Sequence, residues 1–140
     1  MKIMAIDYGD AHTGIAISDR TLTLCGFSTV ITAYRPEKVI EQIMPLIAEH
    51  EVTELVLGHP LNMDGSRGPR AEKAEDFAEQ LRAATALPVT LWDERRTTID
   101  AHNIIEGNVK RAKERKKTVD AVAASLMLEG YLTYKKRTQQ

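Results

Sequence analysis

The run Leu55-Val56-Leu57 constrains this chain more than any other feature, because three consecutive apolar residues put side chains on both faces of a strand. Such a strand needs cover on both sides, which a parallel sheet sandwiched between helices provides. Pro88 to Trp92 reads the same way, and a helical pattern precedes each of these two strands. The first third of the chain differs. Lys2 to Asp7 is short and apolar, and Thr13 to Ser18 carries Ile15 and Ile17 between small residues. Thr21 to Thr32 is rich in Leu, Thr, Val and Ile, with Gly26 as a bulge or bend. The links between these runs are short, so they predict an antiparallel three-stranded meander.

Pro36 opens a helix with Val39, Ile40, Ile43, Ile47 and Ala48 at helical spacing, which Pro45 should kink or interrupt. Pro69 opens a second, with an inward stripe of Ala74, Phe77, Ala78 and Leu81. Thr97 caps a third, with Asp100 three residues on. A final helix is expected from about Thr118 to Tyr134, apolar at Val119, Val122, Ala123, Leu126 and Met127. Right-handed crossovers place the two later strands beside the first, giving the order 3-2-1-4-5. This is an α/β, ribonuclease H-like arrangement, a five-stranded mixed sheet flanked by helices. Its crevice lies at the carboxyl ends of strands 1, 4 and 5.

With 140 residues, 43% of them hydrophobic, the chain suits a single domain over residues 1–140 and excludes disorder. No apolar run approaches the roughly 20 residues of a membrane span. Asp7 interrupts any signal-peptide core, and a lone Cys25 excludes an internal disulfide or a multi-cysteine metal site. These features favour a cytoplasmic protein.

Acids gather at the predicted crevice. Asp7 ends the first strand, Asp93 and Glu94 follow the last, and Asp120 falls in the first turn of the final helix. Neighbouring residues of a strand end point oppositely, so one of Asp93 and Glu94 faces the crevice. Each acid also has a plainer reading: Asp7 as a turn acceptor, Asp120 as an acid on a helix dipole. Ala123 and Ala124 beyond Asp120 would let that helix approach the sheet closely. Convergence on one crevice favours function, because converging carboxylates repel unless a divalent cation neutralises them. Oxygen ligands select Mg²⁺ or Mn²⁺, and two such ions about 3.5–4 Å apart suit phosphodiester cleavage.

The net charge of −1 hides an imbalance, since Lys110 to Lys117 carries six positive charges against one negative. A basic segment beside an acidic site suits a polyanion, although a solvated Lys-rich helix gives the same pattern. Lys110, Arg111, Lys113 and Lys116 are therefore expected to hold a nucleic-acid backbone, with Arg95 and Arg96 beside the acids. The polar loop from His59 to Gly68 is long enough for a substrate clamp, with Arg67 and Arg70 facing phosphates.

Four ordered motifs carry a resemblance across nearly the whole chain: Asp7-Tyr8-Gly9 with Gly14-Ile15-Ala16-Ile17-Ser18-Asp19; Gly58-His59-Pro60-Leu61-Asn62-Met63-Asp64-Gly65; Asp93-Glu94-Arg95-Arg96-Thr97-Thr98; and Asp120-Ala121-Val122-Ala123-Ala124. Together they resemble the YqgF family, also called RuvX, whose members are named pre-16S ribosomal RNA nuclease or Holliday junction resolvase. The resemblance implies a ribonuclease H-like, metal-dependent nuclease of the bacterial cytoplasm. It implies Asp7, Glu94 and Asp120 as the catalytic and metal-binding acids, and so chooses Glu94 over Asp93. The expected substrate is structured RNA, with the 5′ end of the 16S precursor and a ribosome precursor as partner. Branched DNA is the alternative, and the chain acts as a monomer or homodimer. One departure stands out: Ala11-His12-Thr13 fill positions where the family usually carries a Lys-Arg pair.

Two other classes compete. A strand ending Asp-x-Gly before a small-residue hairpin also resembles the phosphate-binding opening of sugar kinases and actin-like ATPases, which need two such domains. A non-catalytic RNA-binding module could use the same fold and basic segment.

Overall fold

The computed structural model describes residues 1–94 and 112–138, the side chains of 112–120 excepted. Three strands, β1 (Lys2–Asp7), β2 (His12–Ser18) and β3 (Cys25–Thr32), form the antiparallel meander. Helix α1 (Pro36–His50) leads to β4 (Val52–His59), and α2 (Pro69–Thr85) leads to β5 (Val89–Asp93). Both later strands are parallel to their neighbours, and the order is β3-β2-β1-β4-β5. The last helix, α3, runs from Ala112 to Thr138. The helix expected from Thr97 lies outside the described residues.

Alternating side chains divide the sheet between two cores. Met4, Ile6, Ile15, Leu55 and Leu57 face one way, against Val39 and Ile43 of α1 and Phe77 and Leu81 of α2. Ile3, Ala5, Ala16, Val56 and Trp92 face the other way, against Ala124, Met127, Leu128 and Tyr131 of α3. The expected inward stripe of α2 is fully buried. That of α3 is displaced: Ala124, Met127, Leu128 and Tyr131 are buried, whereas Val122, Ala123 and Leu126 are only partly so. The cause is Tyr131, which reaches the Glu54 carboxylate and sets Trp92 edge-on at 5.6 Å, so the face carrying it turns inward.

Three expectations need correction. The strand expected from Thr21 begins at Cys25, because the Asp19 carboxylate gathers Thr21 Oγ1 and the Thr23 amide, each at 3.0 Å, into a turn. Gly26 is skipped in the pairing of Ser18 with Cys25 and Ile17 with Phe27, the bulge expected of it. Helix α1 continues through Pro45, an exposed residue, so water can satisfy the carbonyl that proline leaves free. Finally, α3 starts six residues before Thr118, since Lys, Arg and Glu are strong helix formers. Position 120 is consequently in its third turn, where a helix dipole no longer accounts for an acid.

No helix among the described residues is long and apolar enough to cross a membrane. Ala124 of α3 packs against the sheet with no exposed surface. Ala124→Leu should overpack this contact and cost about 1–3 kcal/mol in urea unfolding. An unchanged midpoint would show that the helix has room to spare.

Candidate active site

The carboxyl ends of β1 and β5 bring two acids together. Asp7 shares the face of Ile3 and Ala5, toward α3. Trp92 faces the same side, so Glu94, two residues on, does so too. The side chains meet: Asp7 and Glu94 are hydrogen-bonded to each other, carboxyl to carboxyl. Glu94 reaches this place across Gly58 of β4, whose partner in the parallel register is Trp92. A Cβ on Gly58 would lie 2.1 Å from Glu94 Oε1, so only glycine leaves this path open.

Two ionised carboxylates cannot share one buried site. Burial pushes the Asp7 carboxyl above its ordinary range, against the pull of the Glu94 hydrogen bond and of Arg70. Burial, and then Asp7, push Glu94 up to about 9, opposed by Arg70. The pair therefore shares one proton at neutral pH. Two opposed carboxyl groups that shed their repulsion by taking up a proton fit a hard divalent cation as well.

The third candidate acid, Asp120, belongs to α3. Tyr131 packs by Glu54 at the start of β4, and Leu132 shares a pocket with Met1 and Ile3 at the start of β1. The helix therefore runs with its amino-terminal half toward the strands' carboxyl ends. Position 120 is one turn before the buried Ala124, on the same helix face.

The basic residues divide. Arg70, in the first turn of α2, acts on both Asp7 and Glu94. Arg67 does not join them: its Nε donates to Glu75 Oε2 at 2.8 Å and a second guanidinium nitrogen donates to Oε1. His59 Nε2 meets the same Oε2 at 2.7 Å. Held first by Arg67 and then by His59, the Glu75 carboxyl falls to about 2. Arg95, Arg96, Lys110 and Arg111 lie outside the described residues. Lys113 and Lys116 lie in α3, with side chains outside the description, as is that of Asp120. Gly9 lies in the tight link between β1 and β2. A Cβ there would lie 2.3 Å from the His12 carbonyl oxygen, so this glycine serves the hairpin's own backbone.

Two residues of the site were missed by sequence reasoning. Gly58 closes the apolar strand run, and a glycine in that place signals a close approach. Glu75 carried no local signal, since its partners are 8 and 16 residues away.

A family model described as RuvX, Holliday junction resolvase, matches residues 1–134. The chain belongs to the RuvX family. Its RuvX relatives include proteins of Halothermothrix orenii, 46% identical over 98% of both chains, and of Carboxydothermus hydrogenoformans, 44% identical over 98% of this chain and 99% of that one. Both bear the name "Putative pre-16S rRNA nuclease". Among solved structures, RuvC of T. thermophilus in complex with a Holliday junction substrate superposes with a TM-score of 0.64, covering 99% of this chain and 97% of that one. At 13% identity this shows a shared fold. A ROK hexokinase from Thermus thermophilus shares the fold over 74% of this chain but only 38% of its own, with a TM-score of 0.51 and 18% identity.

The raised carboxyl of Glu94 gives the metal-free protein a pH dependence with a definite sign. A folded-state value above the unfolded one contributes stability that is complete below the ordinary carboxyl range and is lost as pH rises toward about 9. Between pH 5 and 9, in chelator, wild-type stability should fall by up to about 1.4 kcal/mol per pH unit from this site. Glu94→Gln should remove that slope. Parallel wild-type and variant profiles would show that the pair holds no proton.

Proposed function

We propose that this chain is a metal-dependent endonuclease acting on structured nucleic acid, with the 5′ end of the 16S ribosomal RNA precursor as its substrate. The observation that carries the reading is the half-buried Asp7–Glu94 pair, carboxyl against carboxyl, with Arg70 beside it. Membership of the RuvX family and the names of its relatives support hydrolysis of phosphodiesters. The relatives' names favour precursor RNA, whereas the family description favours a four-way DNA junction, and this is the alternative. A junction resolvase cuts two strands symmetrically and so should be a two-fold dimer; an RNA-processing enzyme can act as a monomer.

Asp7, Glu94 and Asp120 would hold Mg²⁺ or Mn²⁺, two ions in the full site, supplying charge neutralisation and an activated water. The chain's own residues do the rest. Gly58 lets Glu94 cross to Asp7, so both carboxyl groups face one point. Arg70, already coupled to both acids, is placed to take a non-bridging phosphate oxygen. Arg95, Arg96, Lys110, Arg111, Lys113 and Lys116 hold the backbone on either side. Arg67, engaged by Glu75, holds the loop in place of a phosphate. The whole chain works as one domain in the cytoplasm, on RNA presented by a ribosome precursor.

The test compares a 16S precursor extended at its 5′ end with a four-way junction, each with Mg²⁺ or Mn²⁺. Asp7→Asn, Glu94→Gln and Asp120→Asn should each lower cleavage by orders of magnitude. Metal-free melting temperatures of the Asp7 and Glu94 variants should hold or rise, because each change spares folding the cost of keeping a carboxyl protonated that ionises in the unfolded chain. Cleavage retained by any of the three, together with lowered melts, would make these acids scaffold rather than active site.

A further inference from the structure

A second feature opens on the other side of β1. Tyr8, directly after Asp7, faces α1 and α2 and stacks on Phe77 with ring centroids 4.0 Å apart and planes 4° from parallel. Beside it a groove of about 450 Å³ runs to Tyr34, which follows β3 and is 78% exposed. The volume falls within the range of small-ligand sites and is too small for a duplex. Its polar lining is unusual for a surface meant to meet phosphate, with Asp10, Asp76 and Gln80 on the walls and Lys73 as the cation.

We propose that this groove is a stacking site for one unpaired nucleobase of the strand whose backbone crosses the acid pair. The proposal rests on the nuclease reading and names the form of the substrate, single-stranded next to the cut. Four observations converge on it. The groove leads toward the active site, because Tyr8, Asp10 and Lys73 also line a narrow cleft containing Arg70, which acts on both acids. Arg70 and Lys73 lie one helical turn apart on α2, so a backbone leaving the acid pair meets both cations in succession. Among the described residues Lys73 is held by a 3.5 Å contact to Asp10 with both side chains well exposed, and such a pair yields readily to a phosphate. The carboxylates of Asp10 and Asp76 repel phosphate but accept hydrogen bonds from the N–H edge of a base. Charge therefore sorts the nucleotide: backbone along the cations, base into the groove. Tyr34 is the exposed ring that closes over it, and base–aromatic stacking tolerates any sequence.

The experiment measures binding of a 12-nucleotide single-stranded RNA in chelator, where nothing is cut. Tyr34→Ala should weaken binding about tenfold, within the range for one lost stacking contact, and Tyr34→Phe should restore it. An abasic nucleotide placed at each position in turn should weaken wild-type binding about tenfold at one position. That oligonucleotide should bind wild type and Tyr34→Ala equally. Because Tyr34 is exposed, the melting temperature should not move, so a binding change reports contact rather than folding. Equal binding by wild type and Tyr34→Ala, an abasic series without a sensitive position, or no binding by wild type overturns the proposal. The parent reading fails separately: a protein with the Tyr34 effect that cuts neither precursor RNA nor junction keeps its groove and is no nuclease.

Discussion

Two carboxyl groups pressed together and partly withdrawn from water set the terms for the rest of this molecule. Such a pair is costly, and it persists only if something over-determines its position. Here the over-determination is the sheet itself. Asp7 is fixed by pairing on both sides of β1, and Glu94 by Trp92, which is locked against Tyr131. The core under α3 therefore does more than bury apolar area, since it holds the tryptophan two residues before an expensive side chain. The parallel register of β4 and β5 is equally committed, because it sets a glycine where the glutamate must pass.

The fold was legible because both of its signals are local. Two-sided apolar strands behind helical patterns dictate parallel crossovers, and short links between three earlier strands dictate a meander, so the strand order followed from handedness. The misreadings have local causes too. Thr21 and Thr23 have strand-like propensity, and a single carboxylate, Asp19, overrides it. The start of α3 was placed late because a charged run was read as a boundary, although such residues favour helix. Its buried stripe was misjudged because a tyrosine with a hydrogen-bonding partner outweighs valine in choosing the face that turns inward.

The site was legible to a different degree. Asp7 could be singled out from its place at a strand end, but nothing in the spacing separates Asp93 from Glu94. Parity settles it once Trp92 is known to face α3, and that requires the tertiary contact with Tyr131. Arg67 and Arg70 are three apart and look equivalent in sequence. They differ because Glu75 captures one and leaves the other beside the acids, a contact across eight residues that no periodicity encodes. β1 also separates two chemistries with one strand, acids toward α3 and aromatic rings toward α1 and α2. Adjacent residues Asp7 and Tyr8 thus belong to different surfaces.

The loop between β4 and α2 has a consequence for the thermodynamics of whatever it meets. His59 at its start and Arg67 near its end both close on the one Glu75 carboxylate, and Asn62, Asp64 and Ser66 tie its middle into a turn. A ten-residue polar segment would ordinarily forfeit much of its conformational freedom when a partner arrives. This one has surrendered that freedom already, during folding, so little entropy remains to be lost on contact. Association over this edge of the molecule should accordingly behave as the meeting of two rigid surfaces, quick to form and with a small entropic penalty, rather than as a clasp that shuts.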